Sequence, residues 1–382
     1  MSSLAFFPWL RLATSVTADK VTFLPYQRGK LPFASTPHQD VLDTLIGRYR
    51  ISPDGPVVHA VIAAYEISDP TRQISESEID NLFELRELIT VSALSCRPYF
   101  ENGGFRYCNS HNFSLVVQRF ENPASGVSVT SRRRDGQAQV YWSADTYRVQ
   151  RPDHVPSPFV GLDLDIDLLE ALMKARENQK FERIAESLAG FNLANTDSSE
   201  VFQRVELMLM NGAFERLLDC RSGKEEDLAR EFVSIIRPTS ELMAGSSPRT
   251  AVAESRGGRP VTVREVWIRD FFRSRGDLAH GRIKPVRPLT WSLHEHLLLG
   301  SFIFPLALKV LLSQEGFYNL TADDRDLIDI FEKLLVTELF KSDGHEALAD
   351  SWPWNQVMED MQTSRLARTL AATWNELGGE KT

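Results

Sequence analysis

Two periodicities divide the chain. Up to about residue 160 the apolar residues fall in short runs, at 20–24, 57–65, 113–120, 126–130 and 137–142, rich in β-branched and aromatic side chains and separated by turn residues. That is the pattern of strands. Between the last two runs, Asp135-Gly136 marks a hairpin, because glycine tolerates the positive φ that tight turns require. Arg132, Arg133 and Arg134 then crown it. One helix interrupts the strands: Ser75 and Glu78 form a capping box ahead of Ile79, Leu82, Phe83, Leu85, Leu88 and Ile89 at helical spacing. Residues 1–160 are predicted to form a mixed, mostly β domain.

A passage with Pro152, Pro156 and Pro158 follows, and since each ring removes a backbone donor, the domain boundary is placed there. Beyond it the period changes to 3.6, in Leu168, Leu169, Leu172 and Met173, in Phe181, Ile184, Ala185 and Leu188, and in Phe202, Val205, Leu209, Phe214, Leu217 and Leu218. More helices are predicted at 263–279, 290–313 and 322–341, the last opened by Thr321, Asp323 and Asp324, with two short ones closing the chain. The stretch 244–260, rich in Gly, Ser, Pro and Arg, is predicted to be a mobile loop. The whole is α+β: a mostly β domain, then an all-α bundle over 161–382.

Composition narrows the partners. With 382 residues, 42% hydrophobic and 25% charged, the chain has the balance of a soluble globular protein of two domains. Its net charge is −9, so binding to nucleic acid requires a locally basic surface. Three cysteines at wide spacing, Cys96, Cys108 and Cys220, fit neither a disulfide framework nor paired zinc ligands. The N-terminal apolar stretch lacks a basic leader and is broken by Pro8 and Arg11, so it reads as mature protein. The apolar run 297–312 carries Gly300, Pro305 and Lys309 and reads as a buried helix, which makes a cytoplasmic protein without membrane contact the expectation.

The segment 262–285 carries the candidate chemistry. Thr262 and Glu265 suit a helix start, and Val263, Val266, Trp267, Phe271 and Leu278 supply an apolar stripe, with Gly281 placed to stop the helix. Arg264, Arg269, Arg273, Arg275, Arg282, Lys284 and Arg287 concentrate positive charge against Glu265, Asp270 and Asp277. Arg275-Gly276-Asp277-Leu278-Ala279-His280 resembles the arginine, four to six residues, histidine motif of the HEPN superfamily, and FFRSRGDLAHG is similar to its Apea-like branch. Ala213-Phe214-Glu215-Arg216-Leu217-Leu218 resembles the glutamate-bearing helix upstream in that branch. The resemblance covers roughly residues 165–340. One departure is Gly276, where the family usually has a polar residue after the arginine; Arg273, followed by Ser274, fits the looser spacing. On an ideal helix positions 275 and 280 lie about 140° apart and 273 and 280 about 20° apart, which pairs Arg273 with His280; against that, Gly276 and Gly281 loosen the last turn and the resembling proteins assemble the site across a two-fold dimer, so Arg275 stands first and Arg273 second.

The resemblance implies a metal-independent endoribonuclease, dimeric through the helical domain, with a toxin-like role in bacterial defence against phage. The residue types suit that chemistry: His280 takes the proton of a ribose 2′-hydroxyl, the oxygen attacks phosphorus, and arginine holds the charge that builds there. Asp277 shares the face of His280 and orients it, while Arg282, Lys284 and the arginines at 132–134 are candidate RNA contacts. Glu215 is read as a carboxylate that pairs with an arginine, Arg275 being the candidate. The first domain is then a sensor of a phage-derived or small-molecule trigger, or a regulatory domain that restrains the nuclease. The alternatives are a non-catalytic HEPN module that binds RNA, a nucleotide or a partner protein, and a scaffold in which Arg275 and His280 merely cap a helix end. No metal or other cofactor is expected, since His294 and His296 fall on different helix faces with no cysteine or carboxylate cluster beside them. Cys108 with His111 is the weaker nucleophile candidate.

Overall fold

The computed structural model describes residues 2–30, 36–52, 55–100, 104–122, 124–143, 146–220, 222–250, 255–256, 259–279, 289–340 and 353–376. The chain is α+β, with an antiparallel sheet in its N-terminal part and helices in its C-terminal part. Its contacts define two compact units, Met1–Pro98 with Phe105–Phe202, and Tyr99–Gly104 with Gln203–Thr382.

The first unit is built on strands β1 (Ser2–Phe7), β2 (Val16–Ala18), β3 (Val21–Gln27), β6 (His59–Ala64), β7 (Val116–Phe120), β8 (Gly126–Arg133) and β9 (Gly136–Ser143), in the order β2-β3-β6-β1-β7-β8-β9. A smaller sheet joins β4 (Tyr49–Ser52), β5 (Gly55–Pro56) and β10 (Val149–Gln150). The N-terminal apolar stretch is the central strand β1, where Leu4, Ala5, Phe6 and Phe7 are all fully buried. A strand covered on both faces needs no polar alternation, which explains its unbroken apolar run. On one face Leu4, Phe6, Ala60 and Ile62 pack with Leu42, Leu45 and Ile46 of helix α1 (Thr36–Ile46). The expected hairpin forms between β8 and β9, with Gly136 at φ 129°.

The capping box of Ser75 and Glu78 opens helix α2 (Glu76–Leu94) as predicted. Helices α3 (Ile166–Ala175) and α4 (Phe181–Ala194) belong to this same unit, so the compact body extends past residue 160 to Phe202. The reason lies in buried polar groups. Asn112 donates to the carbonyls of Trp9 and Pro156, each at 2.9 Å, and Asn109 donates to that of His154 at 2.7 Å, so the proline passage is hydrogen-bonded onto the body. Ser92 of α2 exchanges hydrogen bonds with the backbone of Asp165, Arg176 meets Glu84 at 2.8 Å, and Asn192 reaches the Glu87 carboxylate at 2.6 Å. Satisfying such groups outweighs the preference of proline for linkers.

The second unit holds α5 (Gln203–Leu217), α6 (Glu225–Ile235), α7 (Val263–Ala279), α8 (Leu293–Gln314), α9 (Ala322–Val336) and α10 (Pro353–Glu376). Helix α7 packs on α5, α6 and α9. Its Trp267 stacks on its own Phe271, ring centroids 5.2 Å apart, and meets Phe232 of α6 and Phe331 of α9 edge-on or tilted. Polar bonds fix the register: Arg264 of α7 and Glu332 of α9, each 1% exposed, pair at 2.7 Å, and Lys309 of α8 pairs with Asp324 of α9 at 2.7 Å. The same Asp324 completes a capping box with Thr321. Part of the expected mobile loop is tied down. Arg249 pairs with Glu295 at 2.5 Å, donates to the Thr337 carbonyl at 2.6 Å and lies over Trp291, while 255–256 and 259–260 form a two-stranded ribbon. Among the described residues α8 alone is long and apolar enough to cross a membrane, and it is mostly buried inside the unit, as a core helix is.

Two predictions follow from these bonds. Glu332→Ala leaves the buried Arg264 with only the exposed Glu241 and takes the acceptor from the Leu242 amide, so it should cost about 3 kcal/mol, while the double variant Arg264→Met, Glu332→Leu costs less. Chemical denaturation of the three proteins measures the difference. The second concerns His111 and His154, whose Nδ1 and Nε2 approach to 2.6 Å in the first unit. Burial first, then His154 and Arg86, hold the His111 imidazole below its ordinary range. The unfolded chain therefore takes up this proton at a higher pH than the folded one, and stability falls as pH drops below about 6.5. The urea midpoint should decline between pH 7.5 and 5.5, and decline less in His111→Gln; an equal decline in both would assign the loss elsewhere.

Candidate functional site

The site is built on the facing sides of α5 and α7. Phe214 of α5 is fully buried and lies among Phe232, Phe271 and Phe304 with ring centroids 5.2–6.1 Å away. That packing turns the next residue, Glu215, toward the rim of the core. There Arg275 of α7 pairs with it, Nη1 to Oε1 at 2.5 Å, and lies over the ring of Phe272. The Arg275 side chain is 34% exposed and that of Glu215 16%, so the pair sits at the surface with the carboxylate the more covered partner. The two segments that carry the HEPN resemblance thus meet through the glutamate and arginine expected to pair.

Arg273 has a different surrounding. It lies about 200° around the helix from Arg275, and reaches Glu225 of α6 at 3.2 Å and Asp270 at 3.7 Å. Only Arg275 therefore faces the α5 glutamate. Asp277 is in the last turn of α7, its side chain outside the described residues. His280, Arg282 and Lys284, and with them the expected stop at Gly281, lie outside the described residues. The side chains of Arg132 and Arg133 are likewise outside, while Arg134 is exposed at the hairpin turn.

The expected concentration of positive charge along α7 is neutralised internally over its first half. Arg264 is spent on Glu332 and Glu241, and Arg269 on Glu265 at 2.9 Å. The apolar stripe is legible in sequence, but these carboxylates come from α9, from residue 241 and from one turn up α7. Arg273 and Arg275, farther along, are paired as well, with Glu225 and Glu215.

A second pair went unread in the sequence. His296 of α8 is fully buried, ringed by Trp267, Phe271 and Trp291, with its Nε2 at 3.4 Å from Asp270. Asp270 also accepts from the backbone amides of Thr290, at 2.8 Å, and Trp291, at 3.3 Å. This carboxylate holds the chain entering α8 against α7. His294 instead meets Gln203 at 2.8 Å, and no cluster suited to a metal ion occurs among the described residues. Burial pushes the Cys108 and Cys220 thiols up to about 12, which leaves them protonated and poor nucleophiles at neutral pH.

Gly276, the departure from the family pattern, has open space where a Cβ would stand. Packing does not demand glycine here. Gly276→Ala should raise the stability of α7 by about 1 kcal/mol, read as a higher thermal midpoint. A lower midpoint would show that this turn leaves helical geometry.

No family model matches the chain, and neither does a curated protein or a solved structure.

Proposed function

We propose that this protein is a metal-independent endoribonuclease of HEPN type, resembling the Apea-like branch. The observation that carries the reading is the meeting of Glu215, from the Ala213 to Leu218 segment, with Arg275, from the Arg275 to His280 segment, at 2.5 Å on neighbouring helices. In this mechanism His280 removes the proton from a ribose 2′-hydroxyl, whose oxygen attacks the adjacent phosphorus. The 5′-oxygen leaves with a proton from a second imidazole, that of the other copy in a two-fold dimer, and a 2′,3′-cyclic phosphate remains. Arg275 binds the phosphate oxygens through paired hydrogen bonds as charge accumulates. Glu215 positions it, and Asp277 orients His280. Arg282, Lys284 and the hairpin arginines 132–134 bind RNA backbone. The attacking 2′-hydroxyl restricts substrates to RNA. The role in this reading is a cytoplasmic, toxin-like effector in defence against phage, released by a phage-derived or small-molecule trigger.

A second reading is favoured by the same ion pair: an arginine already held by a carboxylate suits a non-catalytic HEPN-like module that binds RNA, a nucleotide or a protein. One experiment separates the two. A mixed pool of tRNA and messenger RNA is incubated in EDTA with the wild type, His280→Ala, Arg275→Ala and Glu215→Gln at matched dimer content. The nuclease reading expects cyclic-phosphate ends from the wild type, their loss by a factor of about 100 or more in the first two variants, and more cleavage from Glu215→Gln, which loosens Arg275. Cleavage that survives His280→Ala overturns the mechanism. RNA retained on a filter without cleavage by the wild type or Glu215→Gln supports the binding module.

A further inference from the structure

A cleft of about 650 Å³ opens between α6 and α7 in the second unit, apart from the Glu215–Arg275 pair. Four guanidiniums line it, those of Arg230, Arg237, Arg264 and Arg269. Arg230 pairs with Asp227 at 2.9 Å and with Glu231 at 3.2 Å, while the donors of the other three are not all in use. Arg237 gives its Nε to the Ser234 carbonyl at 2.6 Å, which fixes the side chain, and its two terminal nitrogens have no partner among the described residues. The Nε of the buried Arg264 has none either. Arg269 commits Nε and Nη2 to Glu265, and its Nη1 stands 3.5 and 3.6 Å from Glu225 and Glu226, beyond ordinary hydrogen-bond length.

We propose that this cleft binds a small phosphorylated sugar or polyol. The two free terminal nitrogens of Arg237 match phosphate oxygens, which accept from several N–H groups at once. Glu226, exposed on the lining, is an acceptor placed for hydroxyl groups, and Glu241 offers the oxygen that Arg264 does not take. Ala229, Val233 and Pro238 give the floor a short apolar surface for carbon atoms. Among the described residues no aromatic ring lines the cleft, so a nucleobase finds nothing there to stack on, and a nucleotide is disfavoured against a sugar phosphate. The volume falls within the range of about 300–1,000 Å³ common for small-molecule pockets. The inference does not depend on the nuclease reading.

The test is titration calorimetry on the full chain with ribose 5-phosphate and glucose 6-phosphate, and with glucose, inorganic phosphate and adenosine monophosphate as comparisons. Saturable binding of a sugar phosphate is expected, with no heat from glucose and phosphate alone weaker by about tenfold or more. Arg237→Ala should weaken binding by about tenfold at unchanged thermal midpoint, since that guanidinium is exposed and touches only a carbonyl. Val233→Trp, which fills the cleft, should abolish it. Absence of binding up to millimolar sugar phosphate overturns the proposal. So does affinity untouched by both substitutions, or adenosine monophosphate binding as tightly as the sugar phosphates.

Discussion

The helical unit depends on matching the charges that α7 carries into its core. Arg264, Glu265, Arg269, Asp270 and Ser274 are all buried on a helix that also supplies Trp267 and Phe271 to the aromatic centre. An unmatched charge in such a place is prohibitive. Each is matched, by other elements or within the helix itself: Glu332 of α9 for Arg264, Glu265 of α7 for Arg269, the amides of Thr290 and Trp291 for Asp270, and the Phe271 carbonyl of α7 for Ser274. The apolar stripe says that α7 is inside. The polar partners say how it is rotated.

That rotation distributes the arginines. Once Trp267 and Phe271 fill the centre, Arg275 emerges beside α5 and Arg273 beside α6, each with a carboxylate waiting. The proposed cleft lies on the α6 side, and the proposed RNA site on the α5 side. Glu225 contacts Arg269 and Arg273, both on the α6 side.

Local signals were the legible ones. The capping box at Ser75, the helix start at Thr321 and the glycine of the β8–β9 hairpin depend on residues within a few positions, and the structure has them where the sequence puts them. The span of α7 likewise follows from its stripe and start signals. What was hidden depended on distant partners. β1 shows no alternation because both its faces are covered, so its residues look like a generic apolar stretch. Pro152 to Pro158 looks like a linker until Asn109 and Asn112 are placed against its carbonyls. The pairing of Glu215 with Arg275 was legible only because two resembling segments pointed at each other. Asp270 and His296, with no such resemblance, stayed invisible until the fold brought them together.

The lock between Arg264 and Glu332 also has a mechanical meaning. A helix bolted at its first turn by a buried ion pair and clamped at its middle by stacked rings behaves as a stiff shaft, so it cannot slide or pivot to open a site. Interior packing allows discrete rearrangements rather than gradual ones. A change at Arg275 or Arg273 is then a side-chain event, and Glu215 and Glu225 are the carboxylates in contact with them.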